Sequence, residues 1–258
     1  MNEDKAARYH RLQRRAAWVS LATHAALVLG LVAGGLSLRV RDIAVAVTGG
    51  TVSSPGTVAI FTALLLLLFE AVGLPQRFYR SFVLERRYGL SSSSLEVWLA
   101  DYLKGLGLGV GLAIVAAEFV YVTMARWPAW WWAVSALGGV ATLVVLARVT
   151  PIVLLPMFYR FKPLDRAPLL ARIDALSRRA GVPVLGVYEW SLGDKSRRAN
   201  AALVGAGANR RILLSDTLLA DYSDDEIEVI LAHELAHHVY RDIWSGLALE
   251  ALLILAGF

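Results

Sequence analysis

The 258 residues contain no cysteine, which excludes a disulfide framework and any thiolate metal site. A metal bound here has to be held by histidine and carboxylate. Charge is also thin: long stretches carry none, 57% of the residues are hydrophobic, and the mean hydropathy is +0.55. That composition excludes an ordinary water-soluble domain and points to a chain that crosses a lipid bilayer. Internal repeats are missing too, which counts against a transporter built from paired hydrophobic halves. The formal charge of +5 does not mark a nucleic-acid binder, because the basic residues cluster beside apolar runs, where membrane topology explains them.

Four apolar runs predict membrane spans at about 16–38, 57–74, 103–124 and 133–149, within a transmembrane bundle of residues 1–155. The first run is too long for a signal-peptide core and reads as a retained anchor. Residues 39–56 read as a polar loop. Within the polar segment 75–102, Ser93 and Glu96 read as a capping box for a short amphipathic helix that leads into the third span. Trp127, Trp130, Trp131 and Trp132 read as an interfacial aromatic belt at a tight turn.

Basic residues near the span ends predict orientation. Lys5, Arg8, Arg11, Arg14 and Arg15 share a side with Arg77, Arg80, Arg86, Arg87 and Lys104, whereas the other side has Arg39, Arg41 and Arg126. Ten against three places the N-terminus in the cytoplasm, and four spans return the chain there. The expectation is a multi-pass protein of the inner (plasma) membrane with its polar domain on the cytoplasmic side. His24, Glu70, Glu118 and Glu250 lie in or near apolar runs. Ionisable groups at that depth face either a hydrated chamber or a helix-packing partner, and both readings stay open.

After Phe158 the pattern becomes that of a small α+β domain, residues 156–242. Asp165 to Ala180 predicts an amphipathic helix with Asp165 as cap, Pro168 in the first turn and Gly181 after the end. Val184 to Trp190 reads as a strand, and 199–204 and 211–215 flank the loop G-A-G-A-N-R as a hairpin. Residues 243–258 begin a further span, shorter than the roughly 20 residues needed to cross.

The chemistry sits in S-D-D-E-I-E-V-I-L-A-H-E-L-A-H-H-V-Y-R-D, residues 223–242. Ser223 and Glu226 form a capping box, and Asp224, Asp225 and Glu226 suit the positive end of the helix dipole. Residues four apart share a helix face, so His233 and His237 can direct two imidazole nitrogens at one ion, with Glu234 beside them. This H-E-x-x-H spacing suits a zinc hydrolase: the histidines hold Zn²⁺, the ion lowers the pKa of water towards 7, and the carboxylate takes the proton. The competing reading is a surface helix with two unengaged histidines. His238 reads as a supporting or surface residue paired with Asp242 at i+4. The expected fold class is therefore mostly α, a polytopic transmembrane helical bundle with a small α+β, zincin-like metalloprotease domain.

Several blocks together resemble the integral-membrane zinc metallopeptidases of the CAAX prenyl protease type 1 family, related to the HtpX heat-shock proteases. They are L-P-Q-R-F-Y-R-S-F-V-L-E-R-R-Y-G-L, A-D-Y-L-K, P-M-F-Y-R-F-K-P-L, K-S-R-R-A-N-A, R-R-I-L-L-S-D-T-L-L and D-E-I-E-V-I-L-A-H-E-L-A-H, in that order. The resemblance implies that His233 and His237 are zinc ligands, that Glu234 is the general base, and that Asn200 and Ala201 lie on the edge strand that receives substrate. An exposed edge can bind an extended peptide through backbone hydrogen bonds. The family's third ligand is a glutamate in a later E-x-x-x-D-like segment, which these residues do not reach. Glu250 is the one acidic residue after Asp242. On a continuous helix it would lie roughly 20 Å from His237.

The resulting expectation is a membrane-embedded zinc metalloendopeptidase acting on extended, prenylated or membrane-protein substrates, represented by its N-terminal part. Its implied partners are a peptide or protein substrate and the lipid bilayer. The rival from another class is a catalytically incomplete pseudo-protease serving as a membrane scaffold.

Overall fold

The computed structural model describes residues 4–205, 210–240 and 242–258. It divides into two compact units, Met1–Ser135 and Ala136–Phe258, and four of its helical stretches are long and apolar enough to cross a membrane.

In the first unit α1 spans Lys5–Val32 and α2 spans Leu36–Thr48. The polar loop expected at 39–56 is thus mostly helix, and the first span stops at Val32 rather than Leu38. The reason is local. Gly35 and Gly49 sit at positive φ (66° and 62°) and bracket a helix whose Val40 and Ala44, four apart, are buried. Arg39, Arg41 and Asp42 occupy its other faces, and their polarity hides the periodicity.

Helix α3 (Pro55–Phe78) passes through a π turn at Tyr79–Val83 into α4 (Leu84–Arg87). Helix α5 runs unbroken over Leu95–Arg126, so no separate amphipathic helix precedes the third span. Its cap is Ser94, whose hydroxyl accepts from Val97 N–H at 3.2 Å, rather than Ser93. Glu70 meets the packing reading of the intramembrane acids: its carboxylate accepts from Tyr102 Oη (3.1 Å) and Arg77 Nη2 (2.9 Å), tying α3 to α5. Trp98 stacks on Tyr102 and donates to Ser81 Oγ at 2.9 Å. The tryptophan turn follows, with Trp127, Trp130 and Trp132 exposed.

Helix α6 (Trp131–Val149) leads through a second π turn, Thr150–Leu154, into α7 (Leu155–Phe158). Pro156 would crowd the carbonyl four residues back in a regular helix. The i→i+5 bond from Leu155 N–H to Thr150 O widens that turn.

The second unit carries a four-stranded sheet ordered β1-β2-β4-β3, with β1 Phe161–Pro163, β2 Gly186–Trp190, β3 Ala201–Val204 and β4 Arg211–Ser215. Strands β3 and β4 pair antiparallel, as a hairpin requires. The middle of the connecting loop, 206–209, lies outside the described residues. Helix α8 spans Ala167–Ala180. Its cap position is Arg166 rather than Asp165, without a side-chain capping bond. Gly181 (φ 65°) ends it, and Val182 N–H donates to Ser177 O in a Schellman closure.

Short α9 (Asp216–Asp221), then α10 (Asp224–Val239) and α11 (Asp242–Gly257), complete the chain. The core gathers Leu169 and Ile173 of α8, Ile212 and Leu214 of β4, Leu218 of α9, and Ile227, Leu231 and Leu235 of α10. Each such side chain contributes about 1.5–3 kcal/mol when fully buried.

The capping box at the start of α10 forms as its spacing predicts. Ser223 N–H donates to Glu226 Oε2 at 2.9 Å, and Glu226 N–H donates back to Ser223 Oγ at 3.4 Å. The bonds from Ser223 hold the Glu226 carboxyl below its ordinary range. A depressed folded-state pKa gives stability above the unfolded value, lost as pH falls through the folded one. Glu226→Ala is therefore expected to lower the thermal midpoint at pH 7, and the gap to wild type should shrink below about pH 4. A gap unchanged between neutral and acidic pH would refute the carboxylate's part in the cap.

Candidate metal centre

The position of the H-E-x-x-H side chains follows from what α10 buries. Ile227, Leu231 and Leu235 lie four apart and seat the helix against α8 and β3. His233 and His237 each follow a buried leucine by two residues, a rotation of about 200°, which turns them away from the core. Both are exposed, and Glu234 between them is half-buried.

The two histidines converge. Their Nε2 atoms are 3.2 Å apart, and the rings meet edge to face at 79°. Two nitrogens bound to one tetrahedral zinc ion at about 2.0–2.1 Å would be separated by roughly 3.3 Å. The pair therefore fits two corners of such a tetrahedron. Behind it, His237 Nδ1 donates to Asp242 Oδ2 at 2.6 Å. That bond places the ring proton on Nδ1, leaves the Nε2 lone pair for a metal, and raises the imidazole's affinity for protons. Among the described residues no group of three His, Cys, Asp or Glu side chains converges to hold an ion. Glu250, on α11, is exposed.

Asp242 thus pairs with His237, not with His238 as a continuous helix would have it. Helix α10 ends at Val239 with Tyr240 as its cap, and α11 restarts at Asp242. His238 instead reaches the sheet, its Nε2 lying 3.3 Å from Leu203 O. Partial burial pushes its pKa down, which keeps the ring neutral and the bond a neutral N–H donation. The sequence held the residues but not this pairing, because the partner is 35 positions away.

Ala201 opens β3, one of the two outer strands of the sheet, and Asn200 immediately precedes it. Asn200 O accepts from Ser215 N–H and Asn200 N–H donates to Ser215 Oγ, both at 2.9 Å. Antiparallel alternation then turns the backbone groups of Ala202 and Val204 towards β4, and those of Ala201 and Leu203 towards the open side. Of these outward groups, the Leu203 carbonyl is the one His238 engages. One bond therefore fixes the open strand to the helix that carries the histidine pair.

With this geometry in place, comparison with known proteins is informative. Residues 2–160 match the model of the CAAX prenyl protease N-terminal region, described as five membrane helices, and residues 163–258 match that of peptidase family M48. An uncharacterized metalloprotease of Bacillus subtilis, YhfN, is 30% identical over 77% of this chain and 46% of its own length. CAAX prenyl protease 1 of Saccharomyces cerevisiae is 30% identical over 69% of this chain and 39% of its own length. The crystal structure of S. mikatae Ste24p superposes with a TM-score of 0.86 at 24% identity, covering 98% of this chain and 60% of that one. The chain thus spans about half the length, or less, of these curated relatives.

The Asp242 bond generates a direct test. Asp242→Asn should weaken metal retention about 10- to 100-fold, read as bound metal per chain against a graded chelator. Retention equal to wild type would show that the carboxylate does not support His237.

Proposed function

We propose that this chain, which belongs to peptidase family M48 and carries the membrane module of the CAAX prenyl proteases, forms the membrane and catalytic-helix part of a zinc metalloendopeptidase cleaving extended protein substrates, prenylated or membrane-borne. The observation that supports this most directly is the convergence of His233 and His237, with Nε2 atoms 3.2 Å apart and Asp242 behind one ring. In this reading residues 1–155 form the membrane part, 156–242 the peptidase domain, and 243–258 the start of a further span. The chain is a multi-pass membrane protein. We assign its N-terminus and peptidase domain to the cytoplasmic side of the plasma membrane on the distribution of Lys and Arg.

His233 and His237 would hold the zinc ion. When bound, zinc supplies a Lewis acid that polarises a carbonyl and lowers the pKa of water. Glu234 takes the proton of the attacking water and returns it to the leaving amine, the work of a general base and then a general acid. The open side of β3 from Ala201, entered through Asn200, receives substrate by strand addition, so main-chain hydrogen bonds orient the scissile bond. His238 sets the separation between that strand and the histidine pair.

A second reading, a pseudo-protease scaffold, gains support from the absence of a third converging ligand among the described residues. Glu234→Gln separates the two. The peptidase reading expects zinc retained near one per chain, with hydrolysis down about 10²- to 10⁴-fold. A wild-type protein that retains no zinc and cleaves no peptide would favour the scaffold; full activity of the variant would remove Glu234 from the mechanism. His238→Ala should raise KM for long peptides more than it lowers kcat, because it loosens the receiving strand and leaves the base in place. A change confined to kcat would refute that assignment.

A further inference from the structure

A second polar site lies within the membrane unit. Helices α1, α3 and α4, with the π turn after α3, line an open cavity of about 330 Å³ whose walls include Gln13, His24, Gln76, Arg77, Arg80 and Glu85. From Gln13 to His24 the cavity follows eleven residues of α1, a depth of roughly 16 Å. Its floor is made by a close approach: the His24 ring lies where a Cβ on Gly73 would come within 3.1 Å of it. His24 Nδ1 donates to Ser20 O at 2.7 Å, so the ring is held in place from behind.

The wall is organised to present cations. Arg80 Nε donates to Gln13 Oε1 at 3.0 Å, and the Gln13 amide donates to Tyr9 Oη (3.0 Å) and Arg80 O (3.3 Å). These bonds fix the Arg80 stem beside the cavity. The Glu85 carboxylate accepts from the Tyr9 hydroxyl, and Arg77 is paired with Glu70. The first turns of α1 carry Lys5, Arg8, Arg11, Arg14 and Arg15, and α4 carries Arg86 and Arg87. Acids on the same segments are Asp4 at the cap of α1, Glu85 on α4, and Glu96 and Asp101 in the first turns of α5, where Asp101 pairs with Lys104. Below the mouth α1 leaves Trp18, Leu21 and Leu29 exposed, and α3 leaves Leu67 exposed, apolar surface that lies alongside acyl chains in a bilayer. A guanidinium fixed at the level where a span leaves the hydrocarbon, over a polar slot flanked by apolar faces, fits a phosphodiester that carries lipid tails.

We propose that this cavity is a binding site for the headgroup of an anionic phospholipid, with Arg80 as its principal contact. The test uses the whole chain in nanodiscs of zwitterionic phosphatidylcholine, with phosphatidylglycerol or inorganic phosphate added, and bound lipid counted by native mass spectrometry after release. Wild type should retain phosphatidylglycerol over phosphatidylcholine by at least about fivefold, the effect of one well-placed cation. Arg80→Gln should abolish that preference, Arg80→Lys should keep most of it, and Arg41→Gln on α2 should leave it unchanged. Equal retention of the two lipids by wild type would overturn the proposal without reference to any variant. Displacement of the lipid by millimolar inorganic phosphate would overturn the lipid and leave a free-phosphate site. A thermal midpoint for Arg80→Gln equal to wild type in phosphatidylcholine alone confirms that the variant is folded. If it is not, an unchanged preference in Arg80→Lys carries the claim that charge at this position is what counts, and loss of preference in Arg80→Lys refutes it.

Discussion

Ile227, Leu231 and Leu235 hold α10 in one rotation about its own axis, and the rest of the second unit depends on that rotation. Fully buried against α8 and β3, they leave no freedom for the helix to roll. His233 and His237 are therefore presented outward, where they can share a ligand, while His238, one residue on, is swung back to the sheet. A roll of one residue, about 100°, would exchange those roles. The capping box at Ser223 and the ion pair of Arg172 with Asp225 add to the same end, but an exposed pair of that kind is screened by solvent and adds little. Hydrophobic packing sets the geometry, and the polar contacts refine it.

The membrane unit obeys a different economy, because lipid tails offer no water to a stray polar atom. Two of its intramembrane ionisable side chains are found with partners. Glu70 has Tyr102 and Arg77, and His24 has the Ser20 carbonyl. Thr123 and Ser135 share a buried hydroxyl bond of 2.7 Å across the tryptophan turn. Such bonds hold helices together where apolar contact with a neighbour is no better than contact with lipid.

Much of this was legible from residue order. Helical spacing, the capping box and the glycine after α8 placed the elements of the second unit, since each rests on contacts within a few positions. The four long apolar helices were legible for the same reason. Reading failed where a distant partner decides. Helix α2 carries Arg39, Arg41 and Asp42, and only its burial of Val40 and Ala44 reveals what it packs on. Ser94 won the cap from Ser93 among four consecutive serines that spacing alone does not rank. An uninterrupted helix would set Asp242 beside His238, one turn on, and the cap at Tyr240 re-aims it to His237. The tie from His238 to Leu203 had no local signature at all. The helix and its motif could be read in advance, while the frame that holds them against the strand could not.

The tie between His238 and Leu203 has a consequence for how the protein behaves as a solute. An uncovered outer strand is a template on which a second identical strand can settle, and chains that expose one are prone to stick to one another. β3 is four residues long, and one of its few outward carbonyls already has a donor from within the same molecule. A neighbouring copy meets a docking edge that is short and incomplete. The bond that steadies the strand thereby also removes one of the groups on which such a copy would pair.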